Sequence, residues 1–542
     1  MQKLTGGQIA VRSLQENGVD TLFGLPGIQN DWLYNALYDA PDIRVIHTRH
    51  EQGAAYMALG YALATGNVGV YNVVPGPGFL NSTAALSTAY ALNAKVLCLC
   101  GQIPSKTIGK KTGVLHEIPD QLGIMESLTK WSKRATNASQ VAQCISEAFQ
   151  QLHSNRPRPV GVEIPMDILA SQTETTDSDF KHLPVSYPLA QISQVDDVAK
   201  YLTHSKNPLI FVGSGAQGCA QEIQKIAEVL QAPVVGYRTG RGILDSRHYL
   251  SLTLPAAHEL WKSADVVLGV GTNMRIPIQK WGTDEKLKII RIDVDEESHN
   301  IIHTPDIAIT ARGEDILPQL FAKISTHKAE SRKPQMLNLH KAWQEKISYL
   351  EPQLSYLKVI RNILGEEGIF VDELTQIGFT SRIVMPVYKP RTFISTGYQG
   401  TLGYGFPTAM GVKVAKPDIP VISVTGDGGF MFAVQELATA VQHRIGVIVL
   451  LFNNNQYGNV QQMQRNLYGN KIIASDLHNP DFVAMAKSFG ANAFRINSPE
   501  ELEEICTKIC SDLPTVIEIP VGDMPSIDYF RKLPRTRGAK NS

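Results

Sequence analysis

The chain has 542 residues, 43% apolar and 19% charged, enough for several hydrophobic cores and too apolar for a disordered polymer. Lysine plus arginine and aspartate plus glutamate both number 51, so the net charge is zero and nothing favours a polyanionic partner such as nucleic acid. The N-terminus, Met1-Gln2-Lys3-Leu4-Thr5-Gly6-Gly7-Gln8, lacks an apolar signal core, and no run approaches the ~18 apolar residues that span a bilayer, so a soluble, cytoplasmic protein with no membrane partner is expected.

Residues 1–172 form the first expected domain. Gly7 to Asn17 reads as helix, Thr21 to Gly24 as strand, Gly53 to Thr65 as helix, and Val68 to Val74 and Val96 to Gly101 as strands. Such alternation predicts a parallel sheet with helices on both faces. Within it, His50-Glu51-Gln52-Gly53-Ala54-Ala55 places an acid where a small-residue helix begins. Alone, Glu51 is an ordinary helix-N-terminal acid held by the dipole. The small residues behind it also permit close packing, which would desolvate the carboxylate and strengthen a short hydrogen bond. Gly76-Pro77-Gly78 with Asn81, Gly101-Gln102-Ile103-Pro104 and Val114-Leu115-His116-Glu117 follow. His116 reads equally as a proton relay at neutral pH or as a solvated loop histidine. The six cysteines are too few for a disulfide scaffold. Cys98 and Cys100 share a strand face and Cys506 and Cys510 a helix face; without nearby partners both pairs read as buried thiols rather than zinc ligands.

Ser171 to Pro188, rich in Ser, Thr, Asp and Pro, reads as a linker into a second domain, residues 188–330. Strands are expected at Pro208 to Val212, Pro233 to Tyr237, Val266 to Val270 and Ile289 to Val294. Gly213-Ser214-Gly215-Ala216-Gln217-Gly218 fits the dinucleotide fingerprint in context. The acidic residue expected about 20 positions later is missing. Arg238 ends the next strand instead, and suits a ribose phosphate no better than a surface position. A nucleotide fold kept as a structural spacer is the preferred reading. Polar Lys323 to Gln335 marks the next boundary.

In the third domain, residues 355–535, a strand from Val421 to Thr425 leads into Gly426-Asp427-Gly428-Gly429, and a strand from Val447 to Phe452 leads into Asn453-Asn454. Separately these are a common turn and a common loop. The 24 residues between Gly428 and Asn453 suit a crossover that ends both strands side by side. A carboxylate and an amide oxygen then converge on a hard cation such as magnesium, and glycine amides face a diphosphate, aided by the N-terminus of a helix near Gln435-Glu436-Leu437-Ala438.

This pattern resembles the signature of the thiamine diphosphate (ThDP) enzymes. The motifs around Glu51, Gly76, Gly101 and Gly400-Thr401-Leu402-Gly403-Tyr404-Gly405-Phe406-Pro407 resemble acetolactate-synthase-type sequence in the same order, over most of residues 1–535. The resemblance implies an α/β architecture of three doubly wound parallel-sheet domains: pyrimidine-binding, central Rossmann-like and diphosphate-binding. It implies that Glu51 hydrogen-bonds the aminopyrimidine, that the Gly400 carbonyl takes the pyrimidine amine, and that Leu402 wedges between the two rings. Asp427, the Asn454 side chain and the Gln456 backbone carbonyl would hold Mg2+; Gly428, Gly429, Gly458 and Asn459 would offer amides to the diphosphate. Pro26, Gly78 and Asn81 would adjoin the cofactor, with Gln102 and His116 as catalytic candidates and Gln29 and Asn30 reaching the cavity.

The implied function is ThDP- and Mg-dependent turnover of a 2-oxo acid or dicarbonyl, by decarboxylation, carboligation or both. A homodimer or homotetramer is implied because family sites draw the glutamate and the diphosphate site from different subunits. Departures cluster around the acceptor: Val114-Leu115-His116-Glu117 replaces Ala-Phe-Gln-Glu, Met463 replaces a pocket tryptophan, and Thr380-Ser381 replaces a His-Gln pair that touches the diphosphate. Asn273-Met274 stands where flavin-binding relatives have Arg-Phe, so FAD is not expected. Alternatives are a ThDP-dependent C–C lyase or hydrolase of a dicarbonyl, an FAD- or NADP-using oxidoreductase working through the central domain, and a non-catalytic subunit.

Overall fold

The computed structural model describes residues 1–509 and 512–538, which leaves Cys510 outside the described residues. Its framework is three six-stranded parallel sheets. Their strands are short runs such as Val-Leu-Cys-Leu-Cys at 96–100 and Pro-Leu-Ile-Phe-Val at 208–212, buried along their length because helices cover both faces.

The first sheet is built, in chain order, from Thr21–Gly24, Arg44–His47, Gly69–Val73, Val96–Gln102, Trp131–Arg134 and Val160–Pro165. The third is built from Ile369–Val371, Phe393–Ile394, Val421–Gly426, Ile448–Asn453, Asn492–Arg495 and Thr515–Pro520. Both have the spatial order 2-1-3-4-6-5, so the two domains repeat one topology. The central sheet, Pro208–Val212, Val234–Gly236, Ser251–Thr253, Val266–Val270, Lys288–Asp293 and Ile307–Thr310, has the order 3-2-1-4-5-6. In each sheet the winding reverses beside the first strand, and ligands of such folds bind in the crevice left at the carboxyl ends of the strands there. That rule selects the loops after Gly24 and Val73, after Val212 and Val270, and after Val371 and Gly426.

Helices Glu51–Thr65 and Gly405–Ala415 carry apolar or small residues on every side and join the outer domains. A Cβ on Gly60 would lie 2.0 Å from the Thr408 carbonyl oxygen, and one on Gly411 would lie 1.9 Å from that of Met57, so the two backbones meet directly. One hydrophobic cluster, including Tyr56, Met57, Phe79, Phe406, Phe430 and Leu437, spans both domains. The central domain has a separate core around Trp261 and Trp281.

Two expectations need correction. The start of the supposed linker is ordered: Gln172–Thr175 pairs antiparallel with Gln2–Thr5 and ties the chain's first residues to the first domain. The helix expected near Gln435 is present as Glu436–Gln442 with Gln435 at its cap, but the glycines do not lead straight into it: a separate single turn, Asp427–Phe430, begins at the aspartate itself. Among the described residues, no helix is long and apolar enough to cross a membrane. Cys98, Cys100, Cys144 and Cys219 are buried free thiols.

Candidate active site

In the third domain, strands Val421–Gly426 and Ile448–Asn453 pair in parallel with Gly426 opposite Phe452, so both motif loops leave the sheet together. Alternation along the second strand separates the asparagines. Asn453 donates to Glu518 on the neighbouring strand at 2.9 Å, while Asn454 faces a cavity of about 410 Å³. Asp427, Gly428, Gly429, Gln456, Gly458, Asn459 and Leu402 line the same cavity. The Asp427 carboxylate is only 2% exposed. It receives the peptide N–H of Asn454 and the side-chain N–H of Asn479, the latter at 2.7 Å; burial nevertheless pushes its carboxyl up from the ordinary range.

The residues fit a hard divalent cation: one buried carboxylate with no cationic partner among the described residues, one amide oxygen and one peptide carbonyl. A helix of ten residues, Gly458–Leu467, starts at the same place with no side-chain cap, leaving the amides of its first turn free for an anion. Gly428 and Gly429 have a second reason to lack side chains. A Cβ at the former would lie 2.5 Å from the Tyr457 ring and one at the latter 2.9 Å from Glu373.

Leu402 rides on a loop whose Gly400 and Gly403 adopt φ of +62° and +75°, values that favour glycine. Glu373 anchors that loop. Its carboxylate, 1% exposed, accepts the Gly403 N–H at 2.6 Å and the Thr425 hydroxyl, and burial raises its pKa to about 7.

The first domain gathers a second cluster at its own switch point. Glu51 opens helix Glu51–Thr65, and its Oε2 accepts from Asn81 Nδ2 at 3.0 Å. A Cβ on Gly78 would lie 3.5 Å from Glu51 Oε1. His116 is not a free loop histidine. Its Nδ1 lies 3.0 Å from Gln29 Oε1, and because Gln29 Nε2 donates to the Leu115 carbonyl, the network assigns the proton to Nδ1 and leaves Nε2 open. Gly76, at φ +60°, meets the His116 backbone, so this loop is packed against the Gly76–Gly78 turn. Gln102 is buried, its oxygen accepting the Ile103 N–H at 2.7 Å, and Pro26 is exposed on the loop after the first strand.

Glu51, Asn81, Gly78, Gln102, His116 and Pro26 do not line the Asp427 cavity within the single chain. Other expectations move. Asn30 is fully buried and spends its amide on Leu25 and Asn72, bracing the loop rather than reaching a cavity. Thr380 and Ser381 are also fully buried, with hydroxyls bonded inside their own helix; Leu374, Thr375, Gln376 and Phe379 face the cavity instead. Met463 is 46% exposed, whereas Gln462 and Arg465 of the same helix line the cavity. Asn479, Glu373 and Glu436 carry functional geometry that no motif announced.

The fingerprint-like loop of the central domain borders a cavity of about 430 Å³ at its switch point. Its glycines, however, serve protein packing. Cβ atoms on Gly213 and Gly215 would strike Gly271 at 2.4 and 2.8 Å, and one on Gly218 would strike Glu314 at 2.4 Å. Arg238 donates to the Gly397 carbonyl and so links the central and third domains.

Family models place the same three units on the chain: the N-terminal TPP binding domain of thiamine pyrophosphate enzymes matches residues 4–124, the central domain 195–320 and the C-terminal TPP binding domain 375–519. The probable acetolactate synthase large subunit of Methanocaldococcus jannaschii is 30% identical, covering 96% of this chain and 92% of its own. The acetolactate synthase isozyme 3 large subunit of Escherichia coli is 30% identical over 93% of this chain and 92% of its own. A probable 2-ketoarginine decarboxylase of Pseudomonas aeruginosa is also 30% identical, over 93% and 90%. With a carboxylate, an amide and a bare helix start converging on one cavity, and with matches along nearly its whole length, the chain belongs to the thiamine pyrophosphate enzymes and is acetolactate synthase-like.

Proposed function

We propose that the protein is a ThDP- and Mg2+-dependent enzyme that decarboxylates a 2-oxo acid and either protonates the product or joins it to a second carbonyl, working inside the cell as a homodimer or larger homo-oligomer. The observation that carries this reading is the oxygen-only donor set of Asp427, Asn454 and Gln456 beside the uncapped start of helix Gly458–Leu467. When bound, ThDP supplies a carbanion nucleophile and an electron sink for the bond that breaks.

Asp427, Asn454 and the Gln456 carbonyl would hold the metal, and the amides of Gly458 and Asn459 the diphosphate. Leu402 would shape the cofactor from the loop that Glu373 anchors. Glu51 would hold a proton at one carboxylate oxygen while Asn81 orients the other. His116 Nε2, left open by the Gln29 contact, can accept or deliver a proton at the substrate. The similarity to both acetolactate synthases and a 2-ketoarginine decarboxylase supports a 2-oxo acid and leaves two fates for its product. Because Glu51 is absent from the Asp427 cavity of its own chain, a second copy is the natural source of the acid at each site.

Glu51→Gln is expected to lower turnover by about 10²- to 10⁴-fold while ThDP binding, followed by tryptophan fluorescence, persists. Full activity in that variant refutes the assignment.

A further inference from the structure

Glu436 is the first residue of helix Glu436–Gln442 in the diphosphate-binding domain and is fully buried. Its carboxylate is directed into the other domain. Oε1 accepts the peptide N–H of His50 at 2.9 Å, and the two oxygens share the N–H of Arg49 at 3.3 and 3.2 Å. Oε2 also accepts the Thr439 hydroxyl at 2.7 Å. The Arg49 guanidinium turns away to Gln442, so every donor to the carboxylate is neutral. The helix that follows these donors also packs directly on the carboxylate: a Cβ on Gly53 would lie 2.5 Å from Glu436 Oε1.

Arg49 and His50 immediately precede helix Glu51–Thr65. A buried acid satisfied by two consecutive peptide donors there fixes the backbone from which Glu51 projects. We propose that Glu436 is a positioning residue for Glu51, through which the domain that holds the diphosphate sets the placement of the activating acid carried by the same chain. The proposal rests on the functional reading above. Displacements of about 1 Å in a reacting constellation cost on the order of 10²-fold in rate, so a slackened clamp acts on the proton transfer rather than on cofactor affinity.

The test compares wild type, Glu436→Gln and Gly53→Ala, each loaded with ThDP and Mg2+. The readouts are the ThDP half-saturation point, kcat and KM, and deuterium exchange at the thiazolium C2 of bound ThDP, quenched and read by NMR. Glu436→Gln turns an amide NH2 towards a peptide donor, and Gly53→Ala pushes the helix off the same carboxylate. Both are expected to slow exchange and kcat by about 10- to 100-fold, with half-saturation and KM within about 3-fold of wild type. Should Glu436→Gln fail to fold, Gly53→Ala carries the test. Exchange at the wild-type rate in the clamp variants, or loss of ThDP binding in step with exchange, overturns the positioning role; wild-type protein that neither binds ThDP nor exchanges overturns the functional reading instead.

Discussion

Asp427, the proposed metal ligand, is oriented by its neighbours. Asn479 donates to its carboxylate at 2.7 Å and to the side-chain oxygens of Asn453 and Asn455 at 3.1 Å each, so one amide orients the acid and ties together the turn that presents Asn454. Partners of this kind are worth about 10- to 100-fold in metal affinity. Asn479→Ala is therefore expected to raise the Mg2+ concentration for half-maximal ThDP binding by that factor while leaving the fold intact, as a magnesium titration will show. An unchanged midpoint removes Asn479 from the site. Glu373 makes a pH-dependent contribution. Burial raises its pKa from 4.5 to about 7, so the folded state favours the neutral acid. The stability it confers is complete below the unfolded value and is lost as pH rises through about 7. Relative to Glu373→Gln, which does not titrate, the metal- and cofactor-free wild type is expected to lose up to a few kcal/mol of unfolding free energy between pH 5 and pH 8. A pH-independent difference in denaturant unfolding contradicts this.

Between elements, the decisive contact is that of helices Glu51–Thr65 and Gly405–Ala415. Gly60 and Gly411 let two backbones touch, and the resulting core belongs to both outer domains. Gly60→Ala has no room and is expected to cost at least the ~1–3 kcal/mol of an overpacked core. Because the core is shared, thermal unfolding should shift for both outer domains together; a shift confined to one of them contradicts a common core.

What the sequence disclosed follows the same physics. Strands such as Thr21–Gly24, Pro208–Val212 and Val266–Val270 were legible to the residue, since a parallel sheet buried on both faces leaves continuous apolar runs. The Asp427 and Asn454 loops were legible because glycine and oxygen donors follow such runs directly. Glu373, Glu436 and Asn479 were not, because each acts on a segment distant along the chain and sits in no local period. Thr380-Ser381 illustrates the opposite error. Motif spacing placed the pair near the diphosphate, but helix Gln376–Val384 turns both hydroxyls inward and presents Gln376 and Phe379.

At the scale of the molecule, two domains of identical strand order hold the Glu51 and Asp427 clusters, the two halves of the proposed site, each at the switch point of its own sheet. Exposed apolar residues flank both halves: Ile28, Leu80 and Leu115 on the Glu51 side, Val460, Leu467 and Ile473 on the Asp427 side. Isologous pairing of two copies would bury both sets and bring each Glu51 to the other chain's Asp427. Mixing Glu51→Gln and Asp427→Asn subunits tests this most directly. Each variant alone is expected to be inactive, whereas subunits unfolded and reassembled together in equal amounts should recover about a quarter of wild-type activity, because half of the pairs are hybrids and each hybrid holds one intact site. A mixture as inactive as its components would contradict the account.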